Sequence, residues 1–236
     1  MKDLACLDFS KYKLFIFDWD GTLLDSQDSY MEWDQLFVKT FYGVDWPLEN
    51  FHKLAKKMKV AGKKGTESVY FRFLDEKFGD GSTPIDVIWE NIYSLAPVIQ
   101  AKNDYMQNAP EFLEFLRSKY NARIALCTSS ERRDIEFYAS KESKTALTLN
   151  PVAFFDKIIT LDDVSSPKPD PEPYKVIIKE FQVEAAEALV FEDSQSGVVS
   201  AKLAGADVVS IGEIENADYS ILTWADAISI TKKERV

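Results

Sequence analysis

"KLFIFDWDGTLLDS", Lys13 to Ser26, decides how the rest of the chain is read. Its first half, Leu14-Phe15-Ile16-Phe17, has the length and β-rich composition of a buried strand. That run ends abruptly in Asp18-Trp19-Asp20-Gly21-Thr22. In extended backbone residues i and i+2 share a face, so the carboxylates of Asp18 and Asp20 can look into one pocket. Gly21 then lets the chain turn tightly. Asp-x-Asp-Gly alone fits a turn, part of a calcium loop, or a catalytic pair. The calcium loop fails, because the D-x-D-x-D-G spacing is absent and no bidentate glutamate follows at the required offset. What the two carboxylates do depends on what the other strand ends bring to them.

Four more short β-rich runs follow: "RIALC" (123–127), "KIITL" (157–161), "ALVF" (188–191) and "DVVSI" (207–211). Helix-like stretches lie between them. "PEFLEFLRSKY" (110–120) starts on Pro and carries Phe112, Leu113, Phe115 and Leu116 at helical spacing; 172–181 and 195–206 are similar. Alternating strands and helices predict an α/β fold, a Rossmann-like parallel sheet covered on both faces. In such sheets functional residues gather at the carboxyl ends of the strands. Residues 27–104 break the rhythm. They are rich in aromatics, Lys and Glu, with helical spacing and no convincing strand, and they are too long for a loop. The expectation is an inserted α-helical domain over 27–104, with 1–26 and 105–236 forming the core.

Composition narrows the chemistry. The chain has 236 residues, 46% of them hydrophobic, enough for one core domain and a smaller one. A formal net charge of −11 without a basic stripe disfavours nucleic acid and anionic membrane surfaces as partners. The apolar runs are strand length, so no membrane span is expected, and "MKDLACLDFSKYK" lacks an apolar signal core. Cys6 and Cys127 make no disulfide framework, which suits a reduced cytoplasm; Cys127 reads as a core residue. A monomer is expected, with a weak dimer as the alternative. The single histidine, His52, excludes a histidine triad combined with a zinc ligand set and reads as a surface residue. Proton transfer must then fall to carboxylates, lysine or tyrosine.

The strand ends supply such groups. The second ends in Cys127-Thr128-Ser129-Ser130 before "ERRDIEFY", where hydroxyls and backbone N–H groups at a helix start would bind an anion. The third is followed by "SSPKPDPEPY", whose prolines stiffen the segment presenting Lys168. The fourth ends in Glu192-Asp193-Ser194. Four carboxylates in one cleft would repel and raise each other's pKa. A divalent cation together with Lys168 would cancel most of that charge. With oxygen ligands only, Mg²⁺ is the natural candidate. Mg²⁺, a lysine and an oxyanion-binding turn together describe a phosphoryl site.

"FDWDGTLLDS", "CTSS", "PKPDPEPY" and "VFEDSQSG" resemble, in order and spacing, the four motifs of the haloacid dehalogenase superfamily. A helical cap inserted after the first motif is also that family's habit. The resemblance implies Asp18 as nucleophile, forming an aspartyl-phosphate. It implies Asp20 as the group that protonates the leaving oxygen and then takes a proton from water, its backbone carbonyl ligating Mg²⁺. Thr128 and the Ser129 N–H would bind the phosphoryl group, with Gly21 beside them, and Lys168 would hold Asp18 and the phosphoryl charge together. Asp193 would ligate Mg²⁺, with Glu192 either on the metal or behind it. Tyr174 and the prolines around Lys168 read as structural.

Substrate choice points to the cap. Of Lys53, Lys56, Lys57, Lys59, Lys63 and Lys64, most read as a solvated helix face, with Leu54 and Met58 turned to the cap core. Lys63 and Lys64 are framed by glycines in "AGKKGT" and are expected to touch the leaving group. Asp20 argues against a dehalogenase, and the cap's size disfavours protein substrates, leaving small phosphorylated metabolites. The rival is a phosphomutase resembling β-phosphoglucomutase. Where that group carries a histidine after the first motif this chain has Tyr30, and where its cap loop carries an arginine the nearest alignment puts Gly65. A non-catalytic binding protein on the same fold is the remote alternative, since every catalytic position is filled.

Overall fold

The apolar runs pair as a sheet whose central strands, 14–17 and 188–192, are buried throughout. In the computed structural model, which describes residues 7–26, 28–58 and 66–233, the strands are β1 (Leu14–Phe17), β2 (Arg123–Cys127), β3 (Lys157–Ile159), β4 (Ala188–Glu192), β5 (Asp207–Ile211) and β6 (Tyr219–Ile221). All are parallel, in the order β3-β2-β1-β4-β5-β6. The order reverses between β1 and β4, so those two strand ends lie side by side at the switch point of the sheet. Phe17 is opposite Phe191, their rings stacked at 4.7 Å, and the Asp18 N–H donates to the Phe191 carbonyl at 3.0 Å.

Helices α1 (Ser29–Tyr42), α2 (Leu48–Met58), α3 (Thr66–Phe78), α4 (Ile85–Ser94) and α5 (Ala96–Gln100) fall between β1 and β2. α6 (Ala109–Tyr120) leads into β2, and the short α7 (Arg132–Tyr138), α8 (Lys144–Thr148) and α9 (Pro151–Phe154) link it to β3. α10 (Glu172–Glu180), α11 (Gln195–Ala204) and α12 (Trp224–Lys233) complete the core. The period of two sorts the strands between two apolar clusters. Phe15, Phe17, Leu189 and Phe191 pack with Phe112 and Leu116 of α6 and Trp224 of α12. Leu14, Ile16, Val190 and Cys127 pack with Tyr174 and Ile177 of α10 and Val198 of α11. The sheet is therefore covered on both faces, as the alternation of strands and helices implies. No helix among the described residues is long and apolar enough to cross a membrane.

Two details differ from the pattern of apolar runs. β3 stops at Ile159, because the Thr160 N–H and hydroxyl both donate to the Asp163 carboxylate at 2.8 Å and wind the chain into a 3-10 turn. β6 is an additional strand of three residues, too short and too polar at Ser220 to show a period.

Ser26–Asn103 is a compact unit in its own right, and the rest of the chain forms the other. Its core joins Phe37 and Val38 of α1, Phe51 of α2, Tyr70, Phe71 and Leu74 of α3, and Ile88 and Ile92 of α4. Leu54 and Met58 pack against that core, while His52, Lys53, Lys56 and Lys57 on the same helix are exposed. Lys59, Lys63, Lys64 and Gly65 lie outside the described residues. The buried Asp75 is fully engaged: it accepts from the Tyr42 hydroxyl, Arg72 and Thr83, which pins the α3–α4 connection.

Asp34 is buried in this unit and accepts a hydrogen bond from the Tyr70 hydroxyl at 2.6 Å. Burial pushes its carboxyl up from 3.8 to about 7, with the Tyr70 bond pulling the other way. The folded state thus binds this proton more tightly than the unfolded chain. The stability it contributes is complete below about pH 4 and is lost as pH rises through about 7. Asp34→Asn keeps an acceptor for Tyr70 and removes the titration. The stability of wild type relative to Asp34→Asn is expected to fall from pH 4 to 8, with a slope of at most about 1.4 kcal/mol per pH unit. Denaturant titrations across that range test it, and a flat or rising difference is the contrary result.

Candidate active site

Parity along the strands selects what faces the cleft. Asp18 extends the Leu14–Ile16 side of β1, and Glu192 the Ala188–Val190 side of β4, so both point toward α10. Trp19 takes the opposite side and packs between Tyr105 and Tyr138. Lys168 enters from the segment after β3. Its ammonium, almost fully buried, donates to Asp18 Oδ1 at 2.7 Å, Glu192 Oε1 at 2.6 Å and the Cys127 carbonyl at 2.8 Å. All three donors of the group are used.

Glu192 is fully buried behind this lysine. Oε1 also accepts from the Tyr174 hydroxyl at 2.9 Å, and Oε2 accepts from the N–H and hydroxyl of Ser194 at 3.0 and 2.9 Å. Each oxygen thus takes two hydrogen bonds. α11 can pass this close because residue 197 is glycine: a Cβ there would sit 1.7 Å from Glu192 Oε1. Tyr174, expected to be structural, touches the charged cluster directly.

Asp193 Oδ1 accepts from the Thr22 hydroxyl at 3.2 Å, and the Thr22 carbonyl accepts from the Trp224 indole N–H at 2.9 Å. Gly21, at φ +78°, leaves the space Asp193 occupies; a Cβ would lie 2.0 Å from Asp193 Oδ2. The sequence places Gly21 among the phosphate-binding residues; in the structure its neighbour is the Asp193 carboxylate, which fills the space a side chain would take.

The second strand end is a tight turn. Thr128 is buried, and its Oγ1 accepts from the Ser130 N–H at 3.0 Å, which leaves its own proton to offer; Ser129 is exposed. The helix that follows does not supply the anion site expected of it. α7 has seven residues, the Glu131 N–H donates to Asp134 at 3.1 Å, and the Arg132 N–H donates to Asp162 at 2.7 Å. The turn itself must bind any anion. Ser130, whose hydroxyl the sequence offers only as part of this turn, donates to Asp20 Oδ2 at 2.5 Å. The contacts of Ser130 and Thr22 carry no local signal, because their partners lie 110 and 171 residues away.

Electrostatically the cleft carries an excess of negative charge. Burial pushes the Asp18 carboxyl well above its ordinary range; Lys168 pulls it down, and Glu192 and Asp193 push it further up. Burial first, then Glu192, raises Asp193 to about 6. Burial works against the Lys168 ammonium, and the charges of Asp18 and Glu192 outweigh it, keeping the lysine protonated. The Cys127 thiol is pushed up to about 12 by burial, so it is no nucleophile at neutral pH. Carboxylate oxygens of Asp18, Glu192 and Asp193 lie within 4.8 Å of one another, and one ammonium cannot neutralise three such groups. That oxygen-only donor set suits a hard divalent cation. The spare donors belong to Asp18 and Asp193, since Glu192 is already saturated.

A lysine-braced acidic cleft with a hydroxyl-bearing turn, at the switch point of a doubly wound sheet, is the equipment of a phosphoryl-transfer enzyme. Residues 12–205 match the family described as hydrolases of the haloacid dehalogenase-like type. The chain belongs to that family and is a phosphoric monoester hydrolase within it. It is 30% identical over 223 residues to the validoxylamine A 7'-phosphate phosphatase of Streptomyces hygroscopicus subsp. limoneus, covering 92% of each chain. It is 29% identical over 222 residues to the phosphorylated carbohydrates phosphatase of Thermotoga maritima, covering 94% of each. A Thermotoga maritima structure assigned as a β-phosphoglucomutase has the same fold, with a TM-score of 0.74 at 22% identity, over 94% of this chain and 99% of that one.

The crowding at Gly21 yields a direct test. Gly21→Ala must displace Asp193 and strain a positive-φ turn. A displacement of about 1 Å in such a site costs on the order of 100-fold in rate. A loss of that order in kcat/KM, with the far-ultraviolet circular dichroism unchanged, is expected. Wild-type kinetics in the variant would mean that the position of Asp193 is irrelevant.

Proposed function

We propose that the chain is a Mg²⁺-dependent phosphatase of a small phosphorylated metabolite, acting through an aspartyl-phosphate on Asp18. The observation that carries this is the buried Lys168 ammonium bound at once to Asp18 and Glu192. It fixes the nucleophile at the sheet's switch point and sets a positive charge where phosphoryl charge collects.

In the first step an Asp18 oxygen bonds to phosphorus and the bond to the ester oxygen breaks, while Asp20 gives that oxygen its proton. In the second step water attacks phosphorus, Asp20 takes the water's proton, and the bond to Asp18 breaks to release phosphate. The Thr128 hydroxyl and the backbone of Ser129 bind the phosphoryl oxygens. Glu192, through Tyr174 and Ser194, keeps Lys168 in place. Asp18, Asp193 and the Asp20 carbonyl would hold Mg²⁺. When bound, Mg²⁺ supplies the positive charge that lets a dianionic phosphoryl group approach two carboxylates.

Phosphorylated carbohydrates, named in a relative's activity, head the substrate panel. A phosphomutase is the runner-up. It needs a grip on a second phosphate, and Tyr30 and Gly65 stand where the mutase-type sequences carry histidine and arginine. Dependence on a bisphosphate activator would favour the mutase. A cytoplasmic location, from cysteine usage, and a monomer belong to the same proposal.

With Mg²⁺ and a panel of phosphorylated metabolites, wild type is expected to release phosphate and Asp18→Asn to fall to background. Treatment with a chelator should abolish turnover and added Mg²⁺ restore it. Phosphate release by Asp18→Asn would sink the covalent mechanism. Silence of wild type on every panel member would sink the phosphatase assignment.

The cap residues Lys63 and Lys64 are proposed to touch the leaving group, from their place between glycines in the sequence. Removing both charges should raise KM for the best substrate about tenfold, a loss of about 1.4 kcal/mol. An unaltered kcat/KM refutes the assignment.

A further inference from the structure

Ser130 is absent from the mechanism above, yet it touches the group that moves the proton. Its hydroxyl donates to Asp20 Oδ2 at 2.5 Å. Its backbone is clamped on both sides. The N–H donates to Thr128 Oγ1 at 3.0 Å, and the carbonyl accepts from the Leu161 N–H at 3.0 Å. The side chain is thus carried on a turn tied to the ends of both β2 and β3. Asp20 stands in the turn after β1, bridged through its backbone to Leu24, and the terminal torsion of a carboxyl has broad wells, so a fixed donor on one oxygen sets its orientation. A carboxyl that must give a proton and then take one back works best when one oxygen is committed to a fixed donor.

We propose that Ser130 is a positioning residue for Asp20. It engages Oδ2 as an acceptor, so that the exchanged proton rides on Oδ1 in both half-reactions. The inference rests on the assignment of Asp20 as the proton carrier. In the first half-reaction the Oδ1–H bond breaks, and its proton passes to the ester oxygen, which keeps the electron pair of the broken phosphorus–oxygen bond. The Ser130 hydroxyl then supports the carboxylate left behind, as a hydrogen bond to a charged group does. In the second half-reaction Oδ1 takes a proton from the attacking water, and the electron pair of the phosphorus–Asp18 bond returns to Asp18. Ser130 keeps its own proton throughout and forms no bond to phosphorus.

An acid matters most when the leaving group is poor. The test is therefore kcat/KM for phosphomonoesters with leaving groups from alkyl alcohols to p-nitrophenol. Ser130→Ala is expected to lose about tenfold on alkyl esters, roughly one oriented hydrogen bond. On p-nitrophenyl phosphate it should lose less than about threefold. Ser130→Thr, which keeps a hydroxyl, should recover most of the alkyl-ester rate. Ser130→Cys, nearly isosteric and a weak donor, should lie between and serves if the alanine variant does not fold. Equal losses on both ester types, or no loss, overturn the proposal, because packing alone does not distinguish leaving groups. Asp20→Ala run beside them separates the two assignments. A stronger bias of the same kind in Asp20→Ala with none in the Ser130 variants refutes Ser130 alone. No bias in Asp20→Ala refutes Asp20 as proton carrier, and the Ser130 proposal with it.

Discussion

A buried ammonium between two carboxylates is the constraint around which this core is arranged. Lys168 gives up nearly all of its hydration, a cost of several kcal/mol that only close partners offset. Asp18, Glu192 and the Cys127 carbonyl use its three protons. Removing any one of them would leave a buried charge short of a partner. Glu192 in turn needs Tyr174 and Ser194, and its bulk requires glycine at 197. Asp193, its neighbour, requires glycine at 21 and the Thr22 hydroxyl. Four separate stretches of chain are thus tied to one charged group.

Strand parity brings those stretches together. Because side chains alternate, a strand that buries Phe15 and Phe17 on one side must send Leu14, Ile16 and then Asp18 to the other. Trp19 goes with the aromatic side and anchors the end of β1 between Tyr105 and Tyr138. Its indole N–H is buried with no hydrogen-bond partner, a cost of about 1–3 kcal/mol. Edge-to-face packing and a side chain with no exposure are what it gains in exchange. A one-residue slip of β1 against β4 would turn the tryptophan toward Lys168, and Asp18 into the core.

The same parity explains what could be read from the sequence. Apolar runs ending in carboxylates, two residues apart or adjacent, are local signals, and Asp18, Asp20 and Asp193 stand on them, while Lys168 stands on a proline-rich segment. Five of the strands are local signals too, each an uninterrupted β-rich run. The partnerships within the site are not local. Ser130 meets Asp20 across 110 residues, Thr22 meets Asp193 across 171, and Lys168 meets Asp18 across 150. No spacing rule reaches that far; only the strand order brings such pairs into contact. The first N–H groups of α7 are unavailable to an anion for another reason. "SERRD" carries its own caps, and Asp134 claims an N–H that an anion would need. β6 escaped because three residues with a serine at the centre carry no period.

Two kinds of carboxylate therefore share one cleft under different constraints. Asp18, Glu192 and Asp193 are crowded within 4.8 Å, and each is held by charge, burial or a glycine-made space. Groups held that way are suited to fixed tasks: attack from one direction, bracing a lysine, offering oxygen to a cation. Asp20 is two residues from the nucleophile but only part-buried, and its contact to the second strand end is a neutral hydroxyl. The sequence Asp-x-Asp places two identical groups on one strand end, and the fold gives them different surroundings: Asp18 is buried against the Lys168 ammonium, while Asp20 is part-buried with the Ser130 hydroxyl on Oδ2.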